Sequence, residues 1–264
     1  MIILITGISS GFGKAMAERL SSEGHTVYGT HRKDVTPLPG VRYIRADVQN
    51  EDDCRDAVRR VIDEQGRIDV FINNAGMGIG GPLEFCSLSS AQRQMDVNWM
   101  GMVRMLHFVI PEMRRRKSGK IICISSIGGL MGLPFQGLYS ASKFAMEGYC
   151  EALRMELRTH GIKVVVVQPG DFATSFTESR SSVSSPEAEA AYPSYSRSLR
   201  SIEHDETTGL KPEYLAARVS RIVASHRPRA HYVVATLEQR LSVFLKAVLP
   251  AGCFEAILRS YYKL

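Results

Sequence analysis

Tyr139 and Lys143 stand four residues apart in the stretch Gly119 to Cys150, GKIICISSIGGLMGLPFQGLYSASKFAMEGYC. In a helix that spacing places the ammonium one turn above the phenol on the same face. A free tyrosine, with a pKa of roughly 10, is a poor acid or base at neutral pH. A neighbouring cation favours the phenolate and should bring the group into range for proton transfer. Ser126, thirteen residues before Tyr139, can donate a hydrogen bond to a carbonyl or alkoxide oxygen while the phenol moves the proton. Taken alone, Tyr-x-x-x-Lys is common and fits a helix whose polar side chains merely face solvent. The rest of the chain decides between the two.

Ser126 ends an apolar run, Ile121-Ile122-Cys123-Ile124, too short for a helix and suited to a buried strand. A loop with Gly and Pro then leads to a helix from about Tyr139 to about Thr159. Near the start of the chain the same order recurs. Residues 2–5 form an apolar strand, and Thr6-Gly7-Ile8-Ser9-Ser10-Gly11-Phe12-Gly13 a glycine-rich turn. A helix over 14–22 follows. Strand, glycine turn and helix N-terminus make a phosphate cradle, because glycines let the backbone approach a pyrophosphate and the helix end supplies oriented N–H groups. Gly7, Ser9, Ser10, Gly11, Phe12 and Gly13 are therefore candidate cofactor residues. The spacing Gly-x-x-x-Gly-x-Gly is neither Gly-x-Gly-x-x-Gly nor a Walker loop.

A second strand over 26–30 ends in His31-Arg32-Lys33, with Asp34 only afterwards. An acidic residue here would accept from a free ribose 2′-hydroxyl; cations instead complement a 2′-phosphate. His31 and Arg32 thus favour NADP(H), with NAD(H) second. Residues 41–46 read as a short strand. Asp47 and Val48 follow it, and Asp47 either bonds an adenine amino group or caps the helix over 51–65. Strand 68–72 leads into Asn73-Asn74-Ala75-Gly76, whose small residues let backbone lie against a cofactor. Residues 89–117 read as one helix carrying Asn98 within an apolar face; this Asn is either a satisfied core amide or a polar relay. Strand 162–168 ends at Pro169-Gly170, with Thr174 close behind. The alternation of strands and helices argues an α/β fold with a doubly wound parallel sheet.

At 264 residues, one large α/β domain is the leading expectation. A hydrophobic fraction of 44% provides a sizeable core, and a net charge of +6 is far from a polybasic tail. Arg114-Arg115-Arg116-Lys117 fits the cationic end of a helix better than a nucleic-acid patch, so no nucleic-acid partner is expected. Five scattered cysteines without a CxxC pair, and histidines without ligand spacing, point to no metal site and a reducing compartment. With neither a secretory leader nor a spanning helix expected, the location is read as cytoplasmic.

Residues 175–211 are Ser-rich, with Pro186 and Pro193, and read as a mobile insertion suited to a substrate lid. Pro212 starts a helix to about 225, and Tyr232-Val233-Val234 adds a seventh strand. The tail 237–264 carries apolar residues at helical spacing with Arg240, Lys246, Arg259 and Lys263. Packing on the core or a partner subunit ranks first for it, walling an apolar pocket second, and peripheral contact with a membrane surface third.

Together these residues resemble the short-chain dehydrogenase/reductase family along nearly the whole chain, near its steroid- and retinoid-converting members. The matching set is Thr6-Gly7-x-x-x-Gly11-x-Gly13, Asn73-Asn74-Ala75-Gly76, Asn98, Ser126, Tyr139-x-x-x-Lys143 and Pro169-Gly170. The resemblance implies a single Rossmann-type sheet of about seven strands, order 3-2-1-4-5-6-7, with helices on both faces. It implies that Tyr139 is the acid/base and Lys143 its pKa-lowering partner and ribose ligand. Ser126 would orient the substrate oxygen, Asn98 hold a water in a proton relay, and Thr174 reach the carboxamide. A homodimer or homotetramer through the two long helices is also implied. The reaction would be hydride transfer between nicotinamide and a carbonyl or secondary alcohol, NADP(H) favouring reduction through the cellular cofactor pools.

Met131, Leu133, Phe135 and the tail's Phe and Leu residues favour a hydrophobic substrate: a steroid, retinoid or fatty-chain carbonyl. A non-catalytic NADP(H)-binding sensor is the alternative reading, and the complete Asn–Ser–Tyr–Lys set speaks against it. An isomerase or dehydratase of the extended branch ranks lower, because its glycine spacing differs.

Overall fold

The computed structural model of the protein describes residues 1–32, 35–183 and 185–264. Lys33, which continues the cationic stretch after Arg32, and the acidic Asp34 lie outside the described residues. Seven parallel strands form the main sheet: β1 (Ile2–Ile5), β2 (Thr26–His31), β3 (Val41–Arg45), β4 (Val70–Asn73), β5 (Gly119–Ile124), β6 (Ile162–Pro169) and β7 (His231–Val234). Their order across the sheet is β3-β2-β1-β4-β5-β6-β7, as the resemblance implies. A separate parallel pair, Ile79–Gly80 with Ser181–Ser182, was not foreseen; two-residue strands leave no periodic signal.

The sheet is covered on both faces, which is why its strands read as continuous apolar runs. Along β1, Ile2 and Leu4 enter one layer while Ile3 and Ile5 enter the other, as a period of two requires. The first layer is closed by α2 (Glu51–Gln65), α4 (Gly101–Arg115) and α5 (Gly137–Glu156) through Val58, Val61, Met105, Leu106, Met146 and Cys150. The second is closed by α1 (Gly11–Ser22) and α9 (Pro212–Ala224) through Met16, Leu20, Leu215, Val219 and Val223. Each large side chain so buried contributes roughly 1.5–3 kcal/mol.

Local chemistry sets the element ends. The Asn50 side chain accepts from the Asp53 N–H at the start of α2, and Gly66, at φ 69°, ends it in the left-handed region. Lys120 is buried in β5, and its ammonium donates to the carbonyls of Ile222, Val223 and Ser225 at 2.7–2.8 Å. It thus satisfies the free carbonyls at the end of α9. The helix expected over 89–117 is α3 (Leu88–Met95), a π-helical turn (Asp96–Met100), and α4. The π turn widens the helix around Asn98, an irregularity that apolar spacing does not reveal and that often accompanies function.

Residues 175–211 contain α6 (Phe176–Ser179), α7 (Pro186–Ala191) and α8 (Tyr195–Thr207). Ser185 caps α7 with Pro186 in its first turn, so those two residues start a helix rather than extend a loop. Tyr195 and Ile202 are buried, and the Tyr195 hydroxyl donates to the Val183 carbonyl at 2.8 Å. The tail forms α10 (Leu237–Val248), opened by a Thr236/Gln239 capping box, and α11 (Ala251–Tyr261), which starts after Pro250.

Candidate active site

Every βα connection on the carboxyl side of the central strands meets one cavity of about 1170 Å³. It lies where the strand order reverses between β1 and β4, the place at which doubly wound sheets bind ligands. Gly7, Ser9, Ser10, Gly11, Phe12, His31, Arg32, Val48, Asn74, Ala75, Gly76, Ser126, Tyr139, Lys143, Pro169, Gly170 and Thr174 all line it. Gly13, Asp47 and Asn98 do not appear in that lining.

The glycine turn is shaped by close approach. Gly7 and Gly11 have φ of +73° and +52°, and a Cβ on Gly7 would fall 2.9 Å from the Ala75 Cα. A Cβ on Gly13 would fall 2.0 Å from the Gly7 carbonyl, so Gly13 packs the turn onto its helix instead of facing the cavity. Thr6 holds the turn to β4: its hydroxyl accepts from the N–H groups of Asn74 and Ala75 at 2.9 and 3.0 Å. The Asn74 amide donates to the carbonyls of Thr6 and Gly7, so its side chain ties strands together. Thr30, which also lines the cavity, accepts from the Gly7 N–H at 3.3 Å. Its place at the end of β2 was its only sequence signal.

Arg32 leaves the end of β2 with its guanidinium 3.6 Å from Asp47, half exposed. Asp47 accepts from the Gln49 N–H at 3.0 Å, so its carboxylate shapes the turn before α2 and faces Arg32. Helix capping itself falls to Asn50. Asn98 is buried; its amide donates to Met77 O and Ser142 Oγ, and its oxygen accepts from the Met77 N–H at 2.8 Å. The side chain is a satisfied core amide at the mouth of the π turn.

The chemistry-bearing side chains converge. Ser126 Oγ accepts from the Gly128 N–H at 3.0 Å and faces the Tyr139 phenol closely enough to favour its ionised form. Lys143 is buried, donates to the Ile124 carbonyl at 2.9 Å, and sits 5.6 Å from the centre of the Tyr139 ring. Burial raises the Tyr139 pKa to about 12; the Ser126 hydroxyl opposes that rise, and the carboxylates of Glu206 and Asp171 add to it. The expectation of a phenol made acidic by Lys143 is thereby corrected. The ammonium turns first to a main-chain carbonyl, and burial outweighs it. The same burial lowers Lys143 to about 8.

An acidic group overlooked in the sequence lines the same cavity. Asp171, just after Pro169-Gly170, accepts from the Gln239 amide at 2.5 Å. Burial, followed by the charges of Glu206 and Asp205, raises it to about 7. Glu206 pairs with Arg180 and accepts from the Thr177 hydroxyl at 2.6 Å. These partners come from segments far apart in the chain, the loop after β6, the end of α6, α8 and α10, so no local pattern could have joined them.

This fold and this site define a nicotinamide-dependent oxidoreductase, and the chain belongs to the short-chain dehydrogenase/reductase family. The family described as short chain dehydrogenase matches residues 1–184. The chain is 49% identical over 262 residues to the 3-ketodihydrosphingosine reductase of Bacteroides thetaiotaomicron, covering 99% of this chain and 97% of that protein. It is 40% identical over 193 residues to estradiol 17-beta-dehydrogenase 1 of Rattus norvegicus, covering 67% of this chain and 56% of that one. Among solved structures, a short-chain dehydrogenase from Streptomyces avermitilis matches with a TM-score of 0.80 at 27% identity, covering 99% and 97% of the two chains.

Proposed function

We propose that the protein uses NADPH to reduce the ketone of a long-chain lipid, with 3-ketodihydrosphingosine the first substrate to test. One observation carries this reading. The cavity that holds Ser126, Tyr139 and Lys143 is also lined by Phe176, Ile202, Leu245 and Phe254, so the reactive cluster opens into a sleeve with an apolar wall beside the polar Asp171, Glu206 and Gln239. The similarity to the Bacteroides reductase supports it, because it spans the tail that builds part of that sleeve.

The residues fit the cofactor. The turn at Gly7 and Gly11 leaves bare backbone facing the cavity, and a Cβ on Gly11 would project to 3.5 Å from Thr174 across it. Pyrophosphate would lie on this turn at the α1 N-terminus, with Ala75, Gly76 and Val48 beside the adenosine half. Arg32 would meet the ribose 2′-phosphate. Lys143 would hold the nicotinamide ribose and Thr174 the carboxamide. The bound cofactor supplies the hydride.

This chain's own groups do the rest. Ser126 donates to the substrate oxygen, which fixes the ketone beside Tyr139. As negative charge builds on that oxygen, the Tyr139 hydroxyl gives up its proton to it. A phenol held near 12 starts fully protonated at neutral pH, as the donor in a reduction must. Lys143 stabilises the resulting phenolate, and Asn98 positions the main chain of the π turn for proton resupply. In this reading the chain is a single catalytic domain, with 175–211 the lid and α10–α11 the far wall of the sleeve. Subunits pair across α4 and α5, where Phe144 and Met155 are exposed.

The test is consumption of NADPH or NADH with 3-ketodihydrosphingosine, a ketosteroid and a short ketone. Preferential turnover of the first with NADPH supports the reading; turnover of the ketosteroid alone would replace the substrate.

A further inference from the structure

The tail walls the cavity with one side and turns a second apolar side to water. On α10, Leu237, Leu241, Phe244 and Val248 recur at i, i+4, i+7 and i+11, within one narrow arc of the helix. They are 81%, 54%, 60% and 56% exposed, and α10 has no buried residue. Ile257 and Tyr261 on α11, and Leu264 after it, are exposed as well. Of the thirteen large apolar side chains exposed among the described residues, seven belong to residues 237–264. Such a concentration marks a surface that water does not normally cover.

The position of the stripe says what covers it. Leu241, Ile257 and Tyr261 are exposed and also line the cavity, so the stripe runs into the cavity mouth. A folded partner seated there would lie across the entrance; a fluid lipid surface would feed it. The charge agrees: Arg240, Lys246, Arg259 and Lys263 outnumber Glu238 and Glu255 in the tail. No helix among the described residues is long and apolar enough to cross a membrane, so contact is by lying in the surface. We propose that α10 and α11 dock the protein on an anionic lipid bilayer, with the α10 stripe at the headgroup–acyl boundary and the cavity mouth facing the lipid. The docking surface stands on the stripe; the delivery of a lipid ketone through it rests on the proposed function.

The test is co-sedimentation of the full chain with vesicles of phosphatidylcholine and phosphatidylglycerol, comparing wild type with Leu237→Glu/Phe244→Glu. Neither residue lines the cavity, and both are exposed, so the variant should fold. Wild type should pellet with the mixed vesicles, and less with phosphatidylcholine alone. The variant should bind about tenfold or more weakly, while its turnover of a short water-soluble ketone stays within about twofold of wild type. Wild type left in the supernatant would overturn the proposal. So would unchanged pelleting of the variant, or a dimer-to-monomer shift in light scattering without a vesicle effect, which would assign the stripe to a second copy. Vesicle binding without turnover of any lipid ketone would instead refute the substrate reading and leave the docking surface standing.

Discussion

The ammonium of Lys143 lies 5.6 Å from the centre of the Tyr139 ring and donates to the Ile124 carbonyl at 2.9 Å. The pair is set one helical turn apart on α5, and β5 supplies the carbonyl. Two polar groups are thus held against each other in a buried site, each shifted toward its neutral form.

If Lys143 holds the cofactor as proposed, that burial should make cofactor binding pH-dependent. Lys143 is lowered to about 8, and in the proposed binding mode it meets the nicotinamide ribose as a donor that binds best when charged. Binding therefore takes up a proton above that pH and none below it. NADPH affinity, measured by titration calorimetry from neutral pH upward, should weaken as pH rises through about 8. In Lys143→Arg the guanidinium stays charged, and the slope should disappear. An equal slope in both proteins would place the titrating group elsewhere.

In the proposed function Arg32 meets the 2′-phosphate. Its guanidinium is 46% exposed and only loosely paired with Asp47 at 3.6 Å, so it can turn to an incoming anion. Arg32→Ala should raise the Kd for NADPH about tenfold or more, the worth of one charge-assisted contact, and leave that for NADH nearly unchanged. Parallel losses for both cofactors would show that Arg32 does not read the phosphate.

Asp171 predicts a pH-dependent stability. Its pKa rises from 3.8 in the unfolded chain to about 7 in the fold. Between those values the folded protein holds a proton that the unfolded chain has lost, so stability falls as pH rises through this window. Above it the loss is complete. Asp171→Asn removes the cost while keeping a hydrogen-bonding partner for Gln239. Its Tm should exceed that of wild type at pH 8, and the two should converge below the unfolded-state value. A variant less stable than wild type at pH 8 would mean that the Gln239 contact outweighs the buried charge.

Much of this was legible in the chain. β1 and β5 declared themselves because a strand covered on both faces is apolar at every position, and the glycine turn because few other folds need three glycines between a strand and a helix. Tyr139, Lys143 and Ser126 stood out by their spacing once the glycine turn and the other motifs of the chain were set beside them, and in the fold they line one cavity. What was hidden depends on distant partners. The Asp171–Gln239 contact joins residues 68 positions apart, and the Arg180–Glu206 pair 26 apart. The balance between burial and charge at Tyr139 is likewise a property of the packed site, invisible in Tyr-x-x-x-Lys. The helices within 175–211 were missed because the buried face of α8 alternates Tyr195 and Ile202 with the polar Ser198 and Glu206, so its helical spacing carries no apolar stripe.

The most direct measurement follows the oxidation of NADPH by 3-ketodihydrosphingosine in wild type and in Tyr139→Phe, with cofactor affinity determined for each. Removing the proton donor should lower kcat by about 10²–10⁴-fold while NADPH binding stays close to wild type. Turnover by Tyr139→Phe at the wild-type rate would contradict the account, because the proton would then come from another group.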